Sequence, residues 1–400
     1  MTKTKNSFSA ASSMTGYLYQ CLYALYESLS RVRKGKEFRV SLETLDDVVF
    51  EKKGDAIDLI QNKHHVTKKA QLSDYSEDLW KTLRIWSEEI YKGHHKNDLS
   101  FFLITTSKSK YNTAAFCLNP DKDKRDVKKS LSLLESVSNT SKNIKLMKSF
   151  AAFKLLTQEQ KLSLLDSINI IDGSPSITDL DKAMKEEIFW AVEADFLESF
   201  LHRIVGWWMR RVINQLTDIN NDPILSEEIE DQISELREQF KRDNLPIDED
   251  ILEFEINESK YLDKVFVKQL ELIDVTNKRI FFAIRDYFRA FEQRSRWVRE
   301  ELLYVGELSK YERKLREEWE MNFESMRQDI GDEATEYKKK KAARELYRWI
   351  ENGELLQIRE GCKEKFVARG SYHLLSDNKL IGWHPEFIEK IQKILESEVA

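Results

Sequence analysis

The sequence predicts a mixed α+β protein, with an N-terminal α/β core that carries helical additions and a mainly helical C-terminal domain. Strand-like runs gather between residues 37 and 105. Charged residues make up 34% of the chain, against only 5 prolines and 12 glycines, a balance that favours long solvated helices. The cluster DINNDP at 218–223 interrupts the helical pattern. We therefore predict two domains, 1–217 and 218–400.

The elements of the N-terminal domain follow from apolar periodicity and turn residues. A Ser pair can cap a first helix, and alternating or continuous apolar runs indicate strands. The turn signal KGD at 53–55 joins two of these strands as a hairpin. Ser73 can cap the second helix, and the region 121–216 is predicted to be mostly helical. The predicted elements in order are a helix at 12–33, strands at 37–42, 47–52 and 57–64, a helix at 73–91, and strands at 100–105 and 168–171.

The C-terminal domain is predicted to be helical at 226–241, 259–330, 332–351 and 385–398. The long helix at 259–330 carries charges of both signs, which indicates solvated faces and leaves one apolar stripe for a bundle or a partner. Shorter strand-like runs are predicted between 355 and 383. Because this domain contains no recognisable chemistry, we expect it to bind partner subunits.

Composition and motifs exclude several classes of protein. The formal net charge of −6 means that any nucleic-acid contact needs a local basic face. The sequence has no G-x-x-x-x-G-K-[ST], G-x-G-x-x-G or G-x-S-x-G, so we expect neither ATP hydrolysis by the chain itself nor a serine-hydrolase site. An odd number of widely spaced cysteines, with neither a signal peptide nor a membrane span, predicts a soluble cytoplasmic protein with no membrane partner: Cys21, Cys117 and Cys362.

The candidate chemistry lies at the end of the predicted hairpin. Gln61 and Lys63 are two residues apart on one strand and therefore share a face. The neighbouring strand begins beside Asp46 and Asp47, and cross-strand neighbours lie about 5 Å apart. A carboxylate and a neutral oxygen can bind Mg²⁺, and a lysine nearby can orient the attacking water. This set suits phosphodiester hydrolysis, although strand-end acids and surface lysines are also common without chemistry.

The spacing leaves the identity of the ligand aspartate open. A two-residue loop at 54–55 puts Asp46 on the Gln61 face, whereas a three-residue loop at 53–55 puts Asp47 there. Glu43 and His64 are secondary candidates beside the same strand ends, and His64 is placed to contact a phosphate.

The pattern D-x(n)-Q-x-K, after a helix with Gly16-Tyr17-Leu18-Tyr19-Gln20, resembles the PD-(D/E)xK nuclease superfamily. It is similar in particular to the restriction-endonuclease-like domain of CD-NTase-associated endonucleases. The resemblance implies a catalytic set of Gln20, Asp47, Gln61 and Lys63, with Mg²⁺ (or Mn²⁺) on Asp47 and Gln61. The family's paired acids favour Asp47 over Asp46. Gln61 departs from the Glu of the wider superfamily.

A second resemblance extends over most of the chain. The segments WKTLRIW (80–86), GWW (206–208), GSYH (370–373) and GWHP (382–385) resemble the nuclease component of ABC-three-component, or Lamassu, defence systems. It implies two partners, an SMC-like ABC ATPase subunit and a small accessory subunit.

A basic face for DNA is a further expectation. The candidates are Lys68, Lys69, Lys81 and Arg84. For these cations a solvated face and a DNA-contacting face are equally good interpretations. The neighbouring Trp80 and Trp86 are more consistent with a core position.

We therefore expect a metal-dependent double-stranded DNA endonuclease that acts as effector of a bacterial anti-phage and anti-plasmid defence complex. The sequence offers no inhibitory segment, so we expect the ATPase complex to hold it inactive, and release with self-assembly into a homo-oligomer to activate it. The alternative is a non-catalytic DNA-binding scaffold with a degenerate nuclease fold.

Overall fold

A computed structural model describes residues 10–44, 46–52, 55–63, 71–93, 99–218, 220, 222–331 and 333–399. The chain divides into two compact units, Met1–Glu235 and Leu236–Ala400, each with its own hydrophobic core. The division lies after Glu235 rather than after the predicted 217, because the chain returns to the first unit's sheet at Ile224 and Leu225.

The predicted α/β core of the N-terminal unit is confirmed. Among the described residues the strands are β1 (Arg39–Leu42), β2 (Val48–Lys52), β3 (Asp55–Lys63), β4 (Gln71–Leu72), β5 (Ser100–Thr105), β6 (Lys108–Ser109), β7 (Ile168–Ile171) and β8 (Ile224–Leu225). The core is built on a mixed sheet of order β7-β5-β3-β2-β1-β8. Strands β3, β5 and β7 run parallel, whereas β2, β1 and β8 pair antiparallel. A separate two-stranded sheet joins β4 and β6.

Helices surround this sheet. The second helix begins after Ser76, not after the predicted cap Ser73. The described helices of the first unit are α1 (Ala10–Arg33), α2 (Glu77–Tyr91), α3 (Ala114–Cys117), α4 (Val127–Thr140), α5 (Met147–Leu155), α6 (Gln158–Ser167), α7 (Leu180–Ile188), α8 (Leu197–Thr217) and most of α9 (Ser226–Gln239), which crosses the division.

The apolar face of α2 forms much of the first core. Trp80 and Trp86 are 0% and 2% exposed, so their predicted core position is confirmed and they do not form an aromatic surface for DNA. The Trp86 ring lies 5.0 Å from the ring of Phe101 on β5. This packing fixes α2 against the sheet, because burying a large apolar side chain contributes about 1.5–3 kcal/mol.

An irregularity in the β2–β3 pairing controls the position of the candidate site. Val48 lies opposite Ile60, but the register shifts between Phe50 and Glu51 and leaves Ile57 without a partner. This is a β-bulge, in which one extra residue on one strand displaces all later pairs by one position.

The second unit is helical throughout the regular elements that the structure describes. The predicted single helix at 259–330 is wrong, because left-handed residues at Asp274 (φ 58°) and Glu301 (φ 56°) break it into three. Its aromatic residues can then pack against one another in a common core. The helices are α10 (Glu249–Glu253), α11 (Val265–Leu272), α12 (Asn277–Arg299), α13 (Glu307–Ile330), α14 (Glu336–Asn352), α15 (Lys365–Asp377) and α16 (Phe387–Val399).

The predicted strand-like character of 355–383 is also wrong, since this segment contains α15. Gly370 lies where α15 approaches α12, and a side chain there would collide with the Asp286 carbonyl group. His373 is buried, and burial lowers its pKa to about 3, with Arg369 acting in the same direction. The GSYH segment is therefore part of the helical core. In the described part of the chain, no helix has the length and apolar character needed to cross a bilayer.

Candidate active site

The candidate site lies at the ends of two central strands, on the edge of the sheet where β3 ends and β2 begins. Because Val48 is opposite Ile60, the next pair along the hairpin sets Asp47 beside Gln61. Lys63 lies two residues further along β3, on the same face as Gln61. The period of the strand and the register of the hairpin together bring these three side chains to one place.

Neither hairpin loop considered from the sequence matches the observed pairing. The strands pair as far as Lys52 opposite Asp55, so Asp55, which both of these loops included, is paired in the sheet. Beyond the bulge in β3, the two strands have the register that the three-residue loop was expected to give. As a result, Asp47 lies opposite Gln61, while Asp46 faces the interior.

Asp47 is held by two donors. The backbone N–H of Asn62 donates to Asp47 Oδ2 at 2.7 Å, and Gln61 Nε2 donates to Asp47 Oδ1 at 3.2 Å. The Asp47 side chain is 15% exposed. The carboxylate is thus fixed in orientation while remaining open to solvent on one side.

Lys63 lies between two oxygen atoms. Its Nζ donates to Gln61 Oε1 at 2.9 Å and lies 3.9 Å from Asp47 Oδ2. A carboxylate oxygen and an amide oxygen therefore converge on one cationic position, occupied by the ammonium group. Oxygen atoms of these two kinds are the donors that Mg²⁺ prefers, so the donor set fits the predicted metal.

Asp46 has a different environment from its neighbour. It is 8% exposed and accepts a hydrogen bond from Trp86 Nε1 at 3.1 Å and another from Gln61 Nε2. Burial raises the pKa of its carboxyl group to about 6, against the lowering effect of the Trp86 hydrogen bond. Asp46 therefore supports the site from the core side.

Glu43 begins the loop between β1 and β2 in a left-handed conformation, with φ 52°. Its N–H donates to the Asp47 carbonyl at 3.1 Å, which closes the loop. Partial burial raises the pKa of the Glu43 carboxyl group, Asp47 raises it further and Lys63 opposes both. Strained non-glycine residues concentrate at functional sites, and Glu43 is electrostatically coupled to this one.

Gln20 is half-buried on α1. Among the described residues, no hydrogen bond joins it to Asp47, Gln61 or Lys63. Its neighbour on the helix is linked to the site: burial raises the pKa of the Cys21 thiol, and the charge of Glu43 raises it further. The helix α1 therefore approaches the site beside Glu43. Among the described residues, no hydrogen bond to the other site residues supports the predicted role of Gln20.

The predicted basic face is only partly described. His64, Lys68 and Lys69 lie outside the described residues. The other two cations lie on α2, where Lys81 Nζ pairs with Glu77 at 3.1 Å and Arg84 Nε lies 3.8 Å from Glu88. Both ion pairs have substantial solvent exposure and leave the cations available to a stronger anion.

Sequence reasoning missed the contact between Trp86 and Asp46. The two residues are 40 positions apart, so no local pattern connects them. The one available signal was that a buried indole N–H needs an acceptor, which pointed to a buried polar partner without identifying it.

The second unit contains a different acidic cluster. Ligand atoms of Glu336, His384 and Glu386 lie within 4.8 Å of one another. However, Lys390 pairs with Glu336 at 3.1 Å and Lys339 pairs with Glu386 at 2.5 Å. Each carboxylate already has an ammonium partner, so this cluster is an ion-pair network.

Residues 266–391, in the second unit, match the family model described as C-terminal domain 7 of the ABC-three component (ABC-3C) systems. The match supports membership of such a defence system. It also supports an anti-phage defence role within a system of several components. No curated protein matches the sequence.

The solved structures to which the chain is similar include Cap4 SAVED/CARF-domain containing receptors. The Moraxella osloensis receptor is 12% identical with a TM-score of 0.36, over 70% of this chain and 68% of its own. The Acinetobacter baumannii receptor with 2′3′3′-cAAA is 13% identical with a TM-score of 0.30, over 68% of this chain. The chain spans 59% of that receptor's length. Similarity at this level carries no argument about fold or function.

Proposed function

We propose that the first unit is a metal-dependent DNA endonuclease whose site is formed by Asp47, Gln61 and Lys63. The observation that carries the proposal is the convergence of Asp47 Oδ2 and Gln61 Oε1 on the single ammonium of Lys63. Two oxygen donors and a cation at an accessible sheet edge suit the cleavage of a phosphodiester.

Asp47 and Gln61 would hold Mg²⁺ or Mn²⁺ through these oxygens. A bound divalent ion lowers the pKa of a coordinated water and stabilises negative charge on the phosphate. With such an ion held there, the ammonium of Lys63 would orient the attacking water and offset developing charge. Glu43 adds negative potential to the open side and strengthens the attraction for a cation.

The role in a defence system is proposed from the match of the second unit. An ABC-3C component without a nucleotide-binding motif of its own needs another subunit to supply ATP hydrolysis. We propose that the second unit docks onto an SMC-like ATPase and a small accessory subunit, and that the nuclease is the effector. Release and self-association would bring two sites to the two strands of a duplex.

The decisive experiment is plasmid cleavage by the purified full chain. Cleavage is expected with Mg²⁺ or Mn²⁺ and not with EDTA. Asp47→Ala is expected to abolish it, whereas the control Asp121→Ala, which removes an exposed carboxylate paired with Lys124, leaves it unchanged. Duplex DNA that is bound and never cut by the wild-type chain would contradict the proposal and favour a DNA-binding scaffold.

A further inference from the structure

A continuous chain of hydrogen bonds runs from the core to the cation position. Trp86 Nε1 donates to Asp46 Oδ2 at 3.1 Å, and Gln61 Nε2 donates to Asp46 Oδ1. At the other end, Gln61 Oε1 accepts from Lys63 Nζ at 2.9 Å. Asp46 and Gln61 are both buried, at 8% and 5% exposed, so water does not readily replace these partners.

This series of hydrogen bonds can run in one direction only, because its groups differ in whether they can donate or accept. An ionised carboxylate only accepts, so every atom that faces Asp46 must be a donor. These donors are Trp86 Nε1, Gln61 Nε2 and the backbone N–H of Asp47, which donates to Asp46 Oδ1 at 3.1 Å. The amide of Gln61 has one donor end and one acceptor end. Once Nε2 faces Asp46, Oε1 must face the opposite side, where Lys63 Nζ lies. A flipped amide would set its oxygen against the Asp46 carboxylate and its NH₂ group against a cation.

We propose that Asp46 and Trp86 are positioning residues that fix the Gln61 amide with its oxygen towards the metal position. This inference rests on the proposed nuclease function. It also explains why position 61 is Gln: a glutamate there would set a carboxylate against the buried carboxylate of Asp46. In this protein the acid of the pair is at position 46 and the amide at position 61.

The inference predicts the effect of exchanging acid and amide. In Asp46→Asn, the amide offers one oxygen to three donors, Trp86 Nε1, Gln61 Nε2 and the Asp47 backbone N–H, so Gln61 can flip and present NH₂ to the cation. In Gln61→Glu, two buried carboxylates face each other. In the double variant D46N/Q61E, the new amide oxygen accepts from Trp86 and the new NH₂ group donates to the carboxylate introduced at position 61. That carboxylate keeps one oxygen facing the metal position. The hydrogen bond from the Asp47 backbone N–H to Asp46 Oδ1 is lost in this variant. The double variant and the wild type have the same net charge.

The test measures Mn²⁺ affinity by titration calorimetry on the full chain, with thermal unfolding and plasmid cleavage measured in parallel. We expect Asp46→Asn to bind Mn²⁺ at least about tenfold more weakly than wild type, a difference of about 1.4 kcal/mol. Gln61→Glu is expected to lower the midpoint of thermal unfolding, because two buried carboxylates face each other, and the double variant is expected to restore that midpoint. The double variant is expected to recover affinity and cleavage to within a few-fold. Trp86→Phe keeps a ring in the core but removes the N–H, and we expect a smaller, few-fold loss.

The outcomes separate the two proposals. Wild-type affinity in Asp46→Asn, or a double variant no better than the weaker single one, would overturn the positioning role alone. A wild-type chain that neither binds Mn²⁺ nor cuts DNA would overturn the proposed function and the inference with it. If Asp46→Asn does not fold, Trp86→Phe and the comparison of Gln61→Glu with the double variant still decide the matter.

Discussion

Within the part of the chain that the structure describes, a cluster of carboxylates and lysines in the first unit and another in the second unit balance their charges differently. In the second unit, Glu336 and Glu386 each have a lysine partner, and His384 lies beside them. At the sheet edge of the first unit, the carboxyl groups of Glu43, Asp46 and Asp47 share one ammonium among the described residues, that of Lys63.

The difference follows from how each cluster is built. In the second unit, the partners lie on α14, on α16 and at Glu386 immediately before α16, where long side chains of opposite sign meet. At the sheet edge, the bulge in β3 and the core packing of Trp86 force acidic groups together. Excess negative charge that a fold holds in place attracts a cation, whereas a neutralised network does not. From this difference we propose chemistry for the first unit and assembly for the second.

The largest expected effect concerns the division of labour between the units. Removing residues 236–400 is expected to abolish co-purification with the ATPase and accessory subunits, because the ABC-3C match lies in that unit. A pull-down with tagged partners measures this. Retention of the partners by residues 1–235 alone would reverse the assignment.

The second-largest effect distinguishes the role of Lys63 from that of the proposed metal ligands, Asp47 and Gln61. Lys63→Ala is expected to slow cleavage by about 10²–10³-fold, the effect of removing one transition-state donor. Its Mn²⁺ affinity should be equal to or higher than that of wild type, because the ammonium no longer occupies Gln61 Oε1. Lys92→Ala, an exposed lysine paired with Glu89 on the same unit, is the control. Loss of Mn²⁺ binding in Lys63→Ala would show that the lysine supports the site rather than the reaction.

The third prediction compares the two adjacent aspartates by stability. Asp46→Ala leaves the buried Trp86 N–H without its acceptor, which costs about 1–3 kcal/mol of unfolding free energy. Asp47→Ala removes a more exposed group and is expected to cost less while losing all cleavage. Denaturant unfolding with plasmid assays measures both. Greater destabilisation by Asp47→Ala would contradict the inward assignment of Asp46.

The smallest effect is expected in the second unit's cluster. Glu336→Gln removes one partner of an exposed ion pair, and such pairs contribute about 0–1 kcal/mol. The number of Mn²⁺ ions bound per chain should not change. A reduced stoichiometry in this variant would make the cluster a metal site and remove the contrast between the units.

Much of the fold could be predicted from local pattern. The strands at 100–105 and 168–171 were predicted with their observed bounds, because buried strands are short apolar runs. The sequence did not predict that the segment 259–330 forms three helices. Asp274 and Glu301 adopt left-handed conformations at the breaks, and neither residue type indicates such a conformation by itself. Tertiary packing determines such breaks.

The sequence by itself determined which residues carry the candidate chemistry. A strand repeats every two residues, so Gln61 and Lys63 share a face wherever the strand lies. Only the tertiary structure decided which aspartate joins them, because one unpaired residue, Ile57, shifts the hairpin register and turns Asp47 outward and Asp46 inward. The contact that orients the Gln61 amide also required the fold, since α2 must pack on the sheet before Trp86 can reach Asp46. Spacing along the chain fixes relations within one element, and packing fixes relations between elements.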